Sequence, residues 1–454
     1  MVLARLLTPA EVGVYSVTVV LMSFATSFRD FGAGQYLVQE RELNTERIQA
    51  VWTLQLAIGV LLCLLALGAS AVMPAFYREP RMREVLWVLA LSYVINPFGS
   101  LTYAWLMREM RFELLTVMRL SGTLAGAAVS IGLAWRGLGP ISLAWGTLTS
   151  VATNAAVSMA FRPGSFPWLP GFGELRRVLQ FGVRMTSSSI IDSVAQGAPE
   201  LVLGKLQDMT SVGLLSRANG LVTMFLRLIM ASVASVALPM FAKESRETGS
   251  IAHSFIRANS YTTVLAWAFC VNVALLAHPL IRTLYGSQWD DSVEVTRWFA
   301  LVIALNAPSG LSYQALVATG NAGLVLRAVT TYSALTVTGA AIGAFFGLVP
   351  LAWGLAAGTA LGTASWLRIT HKAVGIRWPE YLSGMARSGK VALSSAVLPA
   401  LLVGWVGLTP PQSLWVVALG AAGGAIGLVA GAVVFKHPIG AELSRLLPSR
   451  RRRS

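Results

Sequence analysis

The chain has 454 residues, 55% of them hydrophobic and 12% charged, with a formal net charge of +15 and a mean hydropathy of +0.65. Soluble domains carry about 25% charged residues, so no soluble core absorbs this much apolar sequence, whereas a bilayer does. The positive balance is read as Lys and Arg retained in cytoplasmic loops, with no nucleic-acid partner. Cys63 and Cys270 each lie in an apolar run, and neither they nor the four histidines show metal-ligand spacing, so no metal site is expected.

A short start at 1–8 meets the turn-like Pro9-Ala10-Glu11, without the pattern of a cleavable signal. Runs of about 20 apolar residues then mark membrane spans. They fall near 14–39, 51–76, 84–107, 114–135, 139–161, 183–206, 211–241, 257–283, 295–319, 323–347, 350–371, 389–408 and 412–435, thirteen in all. The fold class expected is an all-α polytopic membrane protein.

Lys and Arg set its orientation. One set of alternate connections holds Arg41, Arg47, Arg108, Arg111, Arg162, Arg176, Arg177, Lys243, Arg246, Arg368, Lys372, Arg377, Arg387, Lys390, Lys436, Arg445 and the arginines at 450–453. The opposite set is poorer, which places the C-terminus in the cytoplasm.

An internal repeat subdivides the chain. Arg5-Leu6, Val12-Gly13 and Ser16 recur 200 residues later as Lys205-Leu206, Val212-Gly213 and Ser216. Leu143-Ala144-Trp145-Gly146 recurs as Leu351-Ala352-Trp353-Gly354. Two homologous lobes follow, with the substrate site expected at their interface. The expected organisation is an N-terminal lobe at 1–161, a cytoplasmic linker at 162–182, a C-terminal lobe at 183–374, an extra helix pair at 375–435 and a basic tail at 436–454. The first lobe lacks a counterpart of the 183–206 span, so the expected design has fourteen helices with the first one absent here.

Several segments carry a family resemblance. Arg5-Leu-Leu-Thr-Pro-Ala-Glu-Val-Gly-Val-Tyr15, Asp30-Phe-Gly-Ala-Gly34, Met110-Arg-Phe112, Leu238-Pro-Met-Phe241 and Leu284-Tyr-Gly-Ser-Gln-Trp289 resemble, in order and spacing, bacterial polysaccharide exporters of the Wzx type. That family lies in the multidrug/oligosaccharidyl-lipid/polysaccharide (MOP) superfamily. The resemblance implies a two-lobe alternating-access flippase in the bacterial inner membrane. Its implied partners are lipid-linked oligosaccharide carried on undecaprenyl pyrophosphate, membrane lipids, and the polymerase and glycosyltransferases of the same pathway.

Charges inside spans are expensive and default to functional hypotheses. The second-lobe opening helix carries a stripe at steps of four, Arg184, Ser188, Asp192, Gln196 and Glu200, which stays on one slowly drifting face. It lines either a wet cavity or an internal hydrogen-bond network. Arg217 and Arg227 follow on the next helix, and Arg29 with Asp30 lies at comparable depth in the first lobe. Guanidinium forks suit a pyrophosphate headgroup, so Arg29, Arg184, Gln196, Arg217 and Arg227 are the candidate substrate-binding residues. Arg29–Asp30 as a self-neutralising ion pair, and Arg217 as a helix-end interfacial residue, are the structural alternatives. Asp30, Asp192 and Glu200 are candidates for proton or sodium coupling, since a carboxylate in low dielectric titrates upward. No cofactor and no catalytic residue is expected.

Other patterns are decoys. Gly384-Met-Ala-Arg-Ser-Gly-Lys390 mimics a phosphate loop, but Val391 stands where Ser or Thr would hold magnesium. Asp290-Asp291 lies in a short loop, and the pairs Gly122/Gly126, Gly354/Gly358/Gly362 and Gly427/Gly431 read as helix-packing surfaces. A drug or metabolite exporter of the same superfamily is the competing function. A membrane polymerase or ligase would need a large outer loop, and none exceeds about 20 residues.

Overall fold

The computed structural model describes residues 1–30, 36–37, 44–164, 166–407, 414–440 and 442; for 27–30, 176–177, 180–192, 225–226, 228, 231 and 322 it describes the backbone alone. All regular structure among the described residues is helical. A one-turn helix α1 (Val2–Leu6) precedes α2 (Pro9–Asp30), α3 (Thr45–Tyr77), α4 (Met82–Arg108), α5 (Phe112–Trp135), α6 (Pro140–Phe161), α7 (Leu175–Leu206) and α8 (Met209–Thr248). Then come α9 (Ala252–Leu275), α10 (Ala277–Leu284), α11 (Ser292–Asn306), α12 (Ser312–Ala318), α13 (Ala322–Ala344), α14 (Leu348–Val374), α15 (Trp378–Val406) and α16 (Leu414–Val434).

Each of the thirteen apolar runs overlaps one of these helices or a broken pair. Among the described residues nine are long and apolar enough to cross a bilayer, and a tenth is α9 with α10, bent by 76° at Leu276. The other three are α6, α7 and α8. α6 carries Thr147, Ser150 and Asn154, which turn inward; Ser150 and Asn154 lie against Gly126 and Gly122 of α5. α7 carries the polar stripe described above. The inward-turned groups of α6 are tolerated at membrane depth because a neighbouring helix covers them. The chain is a multi-pass membrane protein.

Two compact units divide at Gly213/Leu214. In the first, α2 packs along α7 and also meets α3, α4 and α6, while α5 packs on α6 and α3 on α4. The entry of α2 is set by a reciprocal cap, in which the Thr8 amide donates to Glu11 Oε2 at 2.8 Å and the Glu11 amide to Thr8 Oγ1 at 3.3 Å. α8 begins with a one-way cap, Asp208 Oδ1 accepting from the Ser211 amide at 2.7 Å. After α6 the chain is pinned to α3. The Arg162 guanidinium lies 3.7 Å from the Trp168 ring centroid and 5.4 Å from that of Trp52. Trp52 Nε1 donates to the Trp168 carbonyl at 3.0 Å.

In the second unit α9 packs on α15 and α11, α13 on α14, and α15 on α16. Phe241, Phe255, Leu311 and Tyr381 share one buried cluster. The chain after α16 folds back so that His437 is buried, with Nε2 3.0 Å from Ser388 Oγ. The glycine pairs sit at helix crossings: a Cβ on Gly354 would fall 1.9 Å from the Gly339 carbonyl oxygen, and one on Gly427 2.5 Å from that of Ser394. The stretch 384–390 is continuous helix inside α15, with no loop to cradle a phosphate.

Candidate functional site

The candidate residues distribute over three helices and two units. Arg29 and Asp30 belong to α2, and Arg184 and Asp192 to α7; their side chains lie outside the described residues. Further along α7, Gln196 is exposed and Glu200 half-buried. Between them Gly197 faces α2, where a Cβ would fall 2.4 Å from Val20 Cγ1. Arg217 and Arg227 share α8, ten residues apart, which is about 15 Å along the axis and roughly 80° around it. Arg227 is exposed.

Arg217 has a built environment. Its guanidinium carbon lies 5.8 Å from the Tyr285 ring centroid and 5.5 Å from that of Trp289. The two rings meet edge to face at 6.2 Å. Nε is buried without a hydrogen-bond partner. Among the described residues Arg217 makes no ion pair, so the aromatic faces are what offset its charge. The wall itself is fixed from behind. Trp289 is fully buried, and Arg282 grips Asp290 through Nε–Oδ1 at 2.9 Å and Nη2–Oδ2 at 2.5 Å. That hydrogen-bonded guanidinium holds the Asp290 carboxyl below the usual carboxylate range. Asp290 is therefore a bracing residue. The Leu284–Trp289 motif contributes the rings, a role its residue types alone do not announce.

The second unit also contains a broken span. α11 ends at Asn306, a 3-10 turn occupies Ala307–Ser309, and α12 starts at Ser312. Pro308 has no amide and clashes with the carbonyl four residues back, which breaks the helix. Several of the backbone groups around the break are held by side chains. Trp267 Nε1 donates to the Ala304 carbonyl at 2.7 Å, and Thr263 Oγ1 to that of Ala307 at 3.3 Å. Asn259 Nδ2 and the Tyr381 hydroxyl each donate to the Pro308 carbonyl at 2.6 Å. Asn259 Oδ1 accepts from the Leu311 amide at 3.3 Å. A cavity of about 150 Å³ borders the break, lined by Met230, Thr262, Ala266, Ile303, Asn306 and Gly310 among others. Asn259 and Tyr381 are uncharged and isolated in sequence, so no motif flagged them; Asn306-Ala-Pro-Ser-Gly310 was the readable signal of a break.

Bundled helices of this order, with a discontinuous span and an internal repeat, define a MOP-type transporter fold. The chain matches the structure of the lipid II flippase MurJ in its inward closed conformation with a TM-score of 0.75 at 12% identity, over 98% of this chain and 96% of that one. It matches an inward-facing multidrug resistance MATE family transporter of the MOP superfamily with a TM-score of 0.63 at 15% identity, over 85% and 92%. The chain belongs to the polysaccharide biosynthesis protein family, whose model matches residues 2–294. Among its relatives is the succinoglycan biosynthesis transport protein ExoT of Rhizobium meliloti, 24% identical over 88% of this chain and 81% of that protein. Another is the lipopolysaccharide biosynthesis protein WzxC of Escherichia coli, 21% identical over 66% of this chain and 62% of that protein.

Proposed function

We propose that this protein is a flippase. It moves an oligosaccharide linked to undecaprenyl pyrophosphate, a unit of O-antigen, capsule or exopolysaccharide, across the bacterial inner membrane by alternating access. Its C-terminus is cytoplasmic, and a polymerase and glycosyltransferases act on either side of it in the same pathway. The observation that carries the reading is the combination of family and fold: a polysaccharide biosynthesis family match over 2–294 on the architecture of a lipid II flippase.

The chemistry asked of the site is recognition of a dianionic pyrophosphate diester during transit. Arg217 is the best supported of the arginines, because an aromatic wall orients its fork and no described carboxylate neutralises it. Arg29, Arg184, Arg227 and Gln196 are the other proposed contacts. Asp30, Asp192 and Glu200 are the proposed proton or sodium carriers. No step breaks a covalent bond, so the protein acts as a transporter and not as an enzyme.

The test is surface glycan in a strain lacking its own exporter of the matching pathway. Restored glycan with the parent chain supports the reading. Absence of glycan, together with efflux of cationic dyes by the same protein, would favour the second reading, a drug or metabolite exporter, for which the MATE-like fold is the motivation.

A further inference from the structure

The break at 307–311 is held from two separate elements. Asn259 comes from α9 and Tyr381 from α15, the first helix of the terminal pair, and both side chains are buried. Asn259 Nδ2 also lies 3.4 Å from the Tyr381 hydroxyl, so the two donors form one unit around the Pro308 carbonyl. A backbone group left unsatisfied at membrane depth costs several kcal/mol. The break is therefore a stable conformation only while these side chains are in place.

The first lobe supplies an internal comparison. Glu84-Val85, Ala90-Leu91, Asn96, Leu101 and Tyr103 recur 210 residues later as Glu294-Val295, Ala300-Leu301, Asn306, Leu311 and Tyr313. The first copy contains Pro97, yet α4 runs unbroken from Met82 to Arg108. There a Cβ on Gly59 would fall 2.6 Å from the carbonyl oxygen of Tyr93, four residues before Pro97. Close packing of α3 covers that group without unwinding the helix. A related sequence on the same fold thus stays continuous in one lobe and breaks in the other. The first-lobe counterpart of the Pro308 carbonyl, that of Phe98, accepts from a single side chain, Ser158 Oγ at 3.2 Å, inside a continuous helix, whereas the Pro308 carbonyl takes two side-chain donors at 2.6 Å.

We propose that Asn259 and Tyr381 are positioning residues of the transport cycle, holding the 307–311 break as a hinge in its span and tying it to the terminal helix pair. The cavity beside Ile303, Asn306 and Gly310 gives α11 room to swing about this point. A helix packed on all sides would have none. The inference rests on the transporter reading for its rate measurement alone.

The experiment uses the full chain in proteoliposomes, with a fluorescent polyprenyl-pyrophosphate-linked sugar as the probe and hydrogen exchange read on the same preparations. Tyr381→Phe keeps the ring beside Trp378 and removes the donor. Loss of one buried hydrogen bond, roughly 1.4 kcal/mol, corresponds to about tenfold faster amide exchange over 304–318, with segments elsewhere unchanged. The maximal flipping rate falls several-fold while KM for the probe stays within about twofold. Asn259→Leu gives the same pattern more strongly; if that variant does not fold, Trp267→Phe, which removes the donor to Ala304, takes its place. A parental flipping rate with unchanged exchange at 304–318 overturns the proposal. So does a fall in Tm with exchange rising evenly over the whole chain, since that describes a merely structural pair. If the parent itself moves no probe, the flippase reading fails, and the exchange pattern alone decides the hinge.

Discussion

Gly13 and Gly213, exactly 200 positions apart in the repeat, pack against each other's helix in a reciprocal way. A Cβ on Gly13 would fall 1.7 Å from the Met209 carbonyl oxygen, and one on Gly213 would fall 1.9 Å from that of Pro9. Pro9 and Met209 are themselves repeat partners, so the starts of α2 and α8 cross about a local twofold relation. The obstructing atoms are backbone on both sides, which cannot swing away as a side chain can. Gly13→Ala and Gly213→Ala are therefore expected to cost about 3 kcal/mol each, at the upper end of overpacking penalties. Gly68, with nothing within 4 Å of its Cβ position, is the control. Gly68→Ala should be neutral or add up to about 1 kcal/mol through helix propensity. Thermal unfolding in detergent, followed by size-exclusion fluorescence, checks all three; equal melting points for Gly13→Ala and Gly68→Ala would contradict the crossing.

Arg162 joins the end of α6 to α3 through two indole faces. Arg162→Lys keeps the charge and loses the planar stack, so stability should drop by about 1 kcal/mol. Trp52→Phe, which removes the donor to the Trp168 carbonyl, should cost a similar amount. The two losses should be less than additive, since both loosen the same loop. A double-mutant cycle on melting temperature measures this; strict additivity would separate the two contacts.

For Arg217 the expectation concerns transport. Arg217→Lys should keep partial surface glycan, because charge survives while the fork and stacking are lost. Arg217→Ala should reduce it severely. Tyr285→Leu, which removes half of the aromatic wall, should resemble the Lys variant. Expression is followed by blot. Full glycan display by normally expressed Arg217→Ala would leave that arginine a structural role.

His437 makes stability depend on pH. Nδ1 accepts from the Ile439 amide at 3.2 Å, so the proton sits on Nε2 and is donated to Ser388 Oγ. A second proton would have to enter at Nδ1, against that amide. Burial first, and then the Arg387 charge, push the histidine down to about 4 from its ordinary 6.5. The unfolded chain therefore takes up the proton before the folded one does. The contribution is complete above pH 6.5 and is lost as pH falls toward 4, at up to about 1.4 kcal/mol per pH unit. Melting curves between pH 7.5 and 4.5 should be steeper for the parent than for His437→Gln. Identical slopes would place the acid sensitivity elsewhere.

The amino-acid sequence by itself determined that the chain crosses the bilayer many times and roughly where its apolar runs lie. The reason is that covering about 30 Å of hydrocarbon takes some 20 apolar residues in a row, a demand legible within one local window. It also determined the repeat, because Val12-Gly13 and Val212-Gly213 keep their spacing whatever they touch. Apolarity was the weaker guide at α6, α7 and α8, because polar and charged residues within them lower the local hydropathy. Tertiary structure alone decided which side chains meet. Tyr381 reaches Asn259 across 122 positions, and Tyr285 and Trp289 reach Arg217 from the far side of two helices. An arginine in a span signals only that its charge must be offset. Whether a carboxylate, an aromatic face or a ligand offsets it depends on helix packing, and no local pattern encodes that choice.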